Sequence, residues 1–111
     1  IRIGNPARWR QAVEALDESG GIVTAVSDED ILEAWRMLAR IEGVFVEPAS
    51  ATGLAALRQQ IARGEIDAAA KTAVIVLTGH GLKDPGTAVE RAVQPVALPA
   101  KIEALEAYLT K

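Results

Sequence analysis

Cysteine is absent from the 111 residues, and histidine occurs once, at His80. The first absence removes disulfides and thiolate metal sites, and the second removes any metal cluster built on imidazoles. No basic stripe runs through the chain, whose net charge is −3 and whose pI is near 5.1, so no nucleic acid is expected as a partner. The longest apolar run falls far short of the roughly 20 residues that span a bilayer, and no charged-then-apolar leader is seen. No membrane partner and a cytoplasmic location are therefore the expectations. Internal repeats, low-complexity tracts and a dividing linker are also lacking. Half of the residues are apolar, which suits one small domain with a real core. The opening Ile1-Arg2-Ile3, without Met or a soft lead, reads as a strand-like start cut from something longer.

What is present is organised around Thr72 to Asp84. Ala73 to Leu77 is a short apolar run rich in β-branched residues, the composition of a strand buried on both faces, as in parallel sheets. The run stops at Thr78-Gly79-His80-Gly81. Two glycines one residue apart permit positive φ or a close approach of backbone to a ligand. A hydroxyl and an imidazole then stand at the carboxyl end of a strand, where open α/β sheets bind ligands. An ordinary glycine turn is the plainer reading of the same residues.

Upstream, Asn5 fits an N-cap with Pro6 at the first helical position, and Trp9, Val13 and Leu16 follow at helical spacing. Gly20-Gly21 reads as the stop of that helix rather than a phosphate cradle, since no strand feeds it and no helix follows directly. Ile22 to Val26 is a second strand. Ser27 caps the next helix, with Asp30 three residues on, and Asp28, Glu29 and Asp30 complement its positive end. The same acidic cluster has no ligand spacing around it, so a charged first turn is preferred to a metal site. Ile31, Trp35, Leu38 and Ala39 form the inward face of that helix, and Gly43 closes it. Val44 to Val46 is a third strand. It runs into Glu47, which Pro48 keeps out of helical geometry. A third helix runs from near Ser50 to Arg63, with Gly64 as its stop. Leu82 to Pro99 is proline-punctuated, with a short helix near Thr87 to Val93, and a last helix starts around Pro99. The alternation β-α-β-α-β-α-β predicts an α/β fold with a parallel sheet and right-handed crossovers. Gly4-Asn5, Ser27, Glu47 and Thr78 then share one edge of that sheet.

Three segments together resemble threonine synthases of the short bacterial type: Ile1-Arg2-Ile3-Gly4-Asn5-Pro6, Glu47-Pro48-Ala49-Ser50-Ala51 and Leu77-Thr78-Gly79-His80-Gly81-Leu82-Lys83-Asp84-Pro85. Asp28 to Leu32 and Arg40 to Glu47 extend the likeness. It covers nearly all of this chain but only the C-terminal third of such an enzyme. Residues 1–111 are thus expected to form a single α/β segment, the C-terminal part of a larger catalytic domain. The resemblance implies a fold-type-II pyridoxal-phosphate enzyme of the tryptophan-synthase-like fold, whose large domain is a three-layer, mostly parallel sheet with helices packed on it. It implies that Thr78 faces the pyridine nitrogen of pyridoxal 5'-phosphate, that Glu47 lies beside the ring, and that Gly4 lets backbone pass close to it. Asn5, Gly79 and His80 stand behind these, and Lys83 and Asp84 pin the following loop.

The family's Schiff-base lysine and its glycine-rich phosphate loop have no counterpart here. Lys71, Lys83, Lys101 and Lys111 lack the required context, so no catalytic residue and no metal ligand is assigned. The implied activity of the parent enzyme is conversion of O-phosphohomoserine and water to threonine and phosphate, by a lyase that is expected to be a homodimer. Its partners are then the substrate and the remainder of the enzyme, and the isolated chain is expected to be inactive. A serine or threonine dehydratase of the same fold shares Glu47-Pro48-Ala49-Ser50 and is the alternative. A non-catalytic α/β fragment is a further one. A nucleotide-binding module is disfavoured, because Gly4-Asn5-Pro6 supplies no glycine-rich turn after the first strand.

Overall fold

The computed structural model describes residues 3–93 and 95–110. The first two residues of the strand end expected at Ile1–Ile3 lie outside the described residues, as does Lys111. Among these residues five α-helices are formed: α1 (Trp9–Ser19), α2 (Asp28–Ile41), α3 (Thr52–Ala62), α4 (Pro85–Arg91) and α5 (Ile102–Leu109). Three 3-10 turns, Pro48–Ala51, Ala68–Ala70 and Gly81–Lys83, punctuate them.

Local chemistry explains most of the boundaries. The Asp30 amide donates to Ser27 Oγ at 3.1 Å, so Ser27 caps α2, and the three acidic residues of the first turn face the positive end of the helix dipole. Gly20, Gly43 and Gly64 each take a positive φ, at 62°, 67° and 72°, and reverse the chain after α1, α2 and α3. The start of α1 departs from expectation. Asn5 and Pro6 do not open it; the N-cap position is Arg8, without a side-chain cap, and the Pro6 carbonyl accepts the Trp9 amide at 3.4 Å. The helix after Thr78 also sits slightly earlier than the pattern suggests, because Asp84 caps it through the Thr87 amide at 3.2 Å.

The core lies where α2, the Pro48–Ala51 turn and α3 meet. Ala34, Trp35, Leu38, Val46, Ala51 and Ala55 are buried there, with Ile31, Leu32, Leu54 and Leu77 packed against them. Trp35 and Leu38 take the inward places expected of them, whereas Ala39 faces out. An Arg58–Glu33 ion pair at 2.8 Å ties α3 to α2 at the surface.

The expected parallel sheet is not formed among the described residues. Segments 22–26 and 73–77 are without regular hydrogen bonding, and the β-type pairing that exists is an isolated antiparallel bridge between Val46 and His80. The apolar composition of 73–77 states what the segment needs on both faces, not what lies there: Val74 is 86% and Val76 75% exposed. The expectation failed because strand identity rests on a hydrogen-bonded neighbour, which composition does not supply. Likewise the Trp9 and Val13 face of α1 is uncovered.

The dimensions agree. The radius of gyration is 19.1 Å, against about 13 Å for a compact domain of this length. The accessible surface is 9000 Å², where a compact protein of this mass exposes about 5,900 Å². A compact centre around α2 and α3 thus carries apolar elements that pack on little else.

Candidate functional site

The two segments at the heart of the sequence reading, Glu47–Ala51 and Thr78–Gly81, meet in space. Pro48 does hold Glu47 extended, at φ −67° and ψ 149°, before the chain turns into the 3-10 turn. That extended backbone pairs with the other segment. The Glu47 amide donates to the Gly79 carbonyl at 3.0 Å, and the Gly81 amide donates to the Phe45 carbonyl at 3.2 Å. Below the pair, the Trp35 indole nitrogen donates to the Val46 carbonyl at 2.6 Å.

Ser50 links the segments through its side chain. It is buried, and its Oγ accepts the Gly79 amide at 2.7 Å and lies 3.2 Å from Thr78 Oγ1. Thr78 itself is exposed, so its hydroxyl is tethered on one side and open on the other. Close approach explains the two glycines. A Cβ at Gly79 would run into the Glu47 side chain, and one at Gly81 would run into the Phe45 ring. Neither glycine has a positive φ, so both are required by space rather than by backbone conformation.

Glu47 is half-buried, with Lys83 Nζ 4.0 Å from its Oε1. His80 packs edge-on against Phe45, with ring centroids 5.6 Å apart. Its Nδ1 accepts the Leu82 amide at 3.2 Å, which puts the ring proton of the neutral imidazole on Nε2. Asp84 accepts from the Thr87 hydroxyl at 2.8 Å as well as from its amide. Asp84 thus anchors the end of the loop after Gly81, whereas Lys83 makes only a loose contact with Glu47.

Glu47, Ser50, Thr78, Gly79 and His80 are therefore one cluster. Gly4 and Asn5 are not drawn into it: both are exposed, and a Cβ at Gly4 would meet nothing within 4 Å. Sequence reasoning gave no site role to Ser50, which it used to mark a helix start and as part of a family motif, nor to Phe45. The available signal was that Glu47-Pro48-Ala49-Ser50 and Thr78-Gly79-His80-Gly81 carry the same family likeness, which is a reason to expect contact.

The residues suit the edge of an aromatic heterocycle. A hydroxyl can donate to or accept from a ring nitrogen, and a carboxylate beside it sets the local charge. They do not suit a phosphate, since the cation beside the cluster, Lys83, lies against the Glu47 carboxylate. No group of His, Asp and Glu fit for a metal ion occurs among the described residues. No helix among them is long and apolar enough to cross a membrane.

A family model described as "Pyridoxal-phosphate dependent enzyme" matches residues 1–79. The chain is 57% identical over 100 residues to a threonine synthase of Halalkalibacterium halodurans, covering 89% of this chain and 28% of that protein. It is 49% identical over 109 residues to a threonine synthase of Mycobacterium tuberculosis, covering 92% and 30%. With a threonine synthase of Methanocaldococcus jannaschii the identity is 44% over 109 residues, covering 98% and 27%. The chain thus spans a little over a quarter of the length of the curated relatives it matches.

Proposed function

The chain belongs to the family of pyridoxal-phosphate-dependent enzymes, and from that premise we propose that it forms one wall of the active site of a threonine synthase. The parent reaction is loss of phosphate from the γ-carbon of O-phosphohomoserine, followed by addition of water at the β-carbon, giving threonine and inorganic phosphate. The observation that carries this reading is the union of Glu47–Ser50 with Thr78–Gly79 through the Ser50 hydroxyl. It joins two segments remote in sequence, within a chain whose relatives of 44–57% identity bear that name.

Pyridoxal phosphate, when bound, supplies an electron sink for the carbon chemistry. Thr78 offers its open hydroxyl to the pyridine nitrogen. A hydroxyl cannot keep that nitrogen protonated as a carboxylate would, so the ring is a milder sink. Glu47 sets the charge beside the ring, with Lys83 as its counter-ion. Gly79 and Gly81 keep this wall thin. Gly4 approaches the ring once the rest of the protein positions its segment, with Asn5 behind it.

The covalent lysine and the phosphate grip come from the remainder of the enzyme. So do the neighbours that turn segments 22–26 and 73–77 into strands of a mostly parallel, three-layer sheet. The uncovered faces of those segments and of α1 support this. A homodimer in the cytoplasm belongs to the same reading. The test is to supply the full-length protein with O-phosphohomoserine and measure phosphate and threonine together. Equal amounts of the two are expected. Release of ammonia from threonine or serine in place of threonine formation would favour a dehydratase and overturn the assignment.

A further inference from the structure

The Ser50 hydroxyl has one proton and two lone pairs. One lone pair is taken by the Gly79 amide at 2.7 Å. The proton has two destinations: Thr78 Oγ1 at 3.2 Å and the Gly79 carbonyl at 3.5 Å. Both contacts are longer than the usual O–H···O range of about 2.5–3.0 Å, and the one to Thr78 is the closer of the two. The Gly79 carbonyl, moreover, already accepts the Glu47 amide at 3.0 Å. Geometry allows either hydroxyl to donate across the 3.2 Å contact, and the shorter distance favours the Ser50 proton going to Thr78. An oxygen that accepts from Ser50 keeps its own proton for its open side. The opposite polarity would send the Ser50 proton into the longer contact and leave Thr78 with lone pairs facing out, an arrangement suited to a protonated ring nitrogen.

Ser50 is well placed to enforce one polarity. It is 5% exposed, in a turn held between α2 and α3, and its amide donates to the Glu47 carbonyl at 3.0 Å. A hydroxyl whose direction is set in advance need not reorganise when its acceptor arrives. We propose that Ser50 is a positioning residue: it holds the Thr78 hydroxyl as an outward donor and so selects a ring nitrogen that carries no proton. This rests on the reading of Thr78 given above.

The test is the absorption maximum of pyridoxal phosphate bound to the full-length protein, in Ser50→Ala, Thr78→Val and the double variant. Ser50→Ala is expected to move the maximum in the same direction as Thr78→Val. The double variant moves it no further than Thr78→Val alone, because Ser50 acts through Thr78. Cofactor dissociation constants rise about fivefold in each single variant, the loss expected for one neutral hydrogen bond. A merely structural Ser50 would lower the thermal midpoint without moving the spectrum. If Ser50→Ala does not fold, Ser50→Cys, a weak donor, carries the same expectation. A maximum moved by Thr78→Val but unmoved by the Ser50 variants, or single shifts that add in full, overturns the role of Ser50 alone. A maximum unmoved by Thr78→Val removes Thr78 from the ring and both readings with it.

Discussion

The indole of Trp35 donates to the Val46 carbonyl at 2.6 Å, so the core of α2 is bonded directly to the backbone that bears Glu47. Val46 is also the residue bridged to His80. One buried hydrogen bond therefore lies under both halves of the cluster. Trp35→Phe keeps most of the apolar volume and removes the donor. It is expected to cost about 1–3 kcal/mol, the penalty for a buried acceptor left without a partner. The check is the denaturant midpoint of the full-length protein, and an unchanged midpoint would show that Val46 is held by other means.

Thr78→Val preserves shape and removes the hydroxyl. The fold should survive, because Thr78 is exposed and Ser50 retains its bond from the Gly79 amide. The spectrum of bound cofactor should change, and kcat should fall by at least about fivefold, the equivalent of one hydrogen bond of about 1 kcal/mol. Steady-state phosphate release and an absorption spectrum suffice. Wild-type values in both would take Thr78 out of the site.

Gly81→Ala is expected to destabilise by about 1–3 kcal/mol through overpacking. The new Cβ collides with the Phe45 ring, and no backbone strain is involved because Gly81 has no positive φ. Phe45→Ala should lower stability in the wild-type background yet recover part of the loss in the Gly81→Ala background. Thermal midpoints of the four proteins test this. Equal effects of Phe45→Ala in both backgrounds would mean that the ring is not what Gly81 accommodates.

Lys83→Ala should change stability by less than about 0.5 kcal/mol, since its 4.0 Å pairing with Glu47 is loose and solvent-exposed. Asp84→Ala, by contrast, removes the cap of α4 and should cost about 1 kcal/mol. Reversal of that order in chemical denaturation would contradict the assignment of the loop's anchor.

The isolated 111-residue chain should self-associate and bind pyridoxal phosphate weakly at best. Its exposed Val74, Val76 and Trp9 invite contact, and its radius of gyration is well above that of a compact domain. A hydroxyl and a carboxylate fall short of the roughly 8 kcal/mol that micromolar affinity requires. Sedimentation at rising concentration and absorbance after dialysis are the measurements. A clean monomer, or stoichiometric cofactor with phosphate release, would refute the respective half.

The sequence by itself determined the helices and several of their ends, because these depend on groups a few residues apart. Ser27 caps α2 through Asp30, glycines reverse the chain after three helices, and Pro48 extends Glu47. It also pointed to Glu47, Thr78, Gly79 and His80, through two short motifs at the ends of apolar runs. It did not reveal which residues touch. That Ser50 holds both Gly79 and Thr78, that Phe45 leans on Gly81, and that Val46 meets His80 antiparallel were decided by packing across about thirty positions. The sheet shows the same division from the other side. The apolar, β-branched run at 73–77 is written in the sequence, but a strand exists only when a neighbour accepts and donates its hydrogen bonds, and pairing is a property of the tertiary structure.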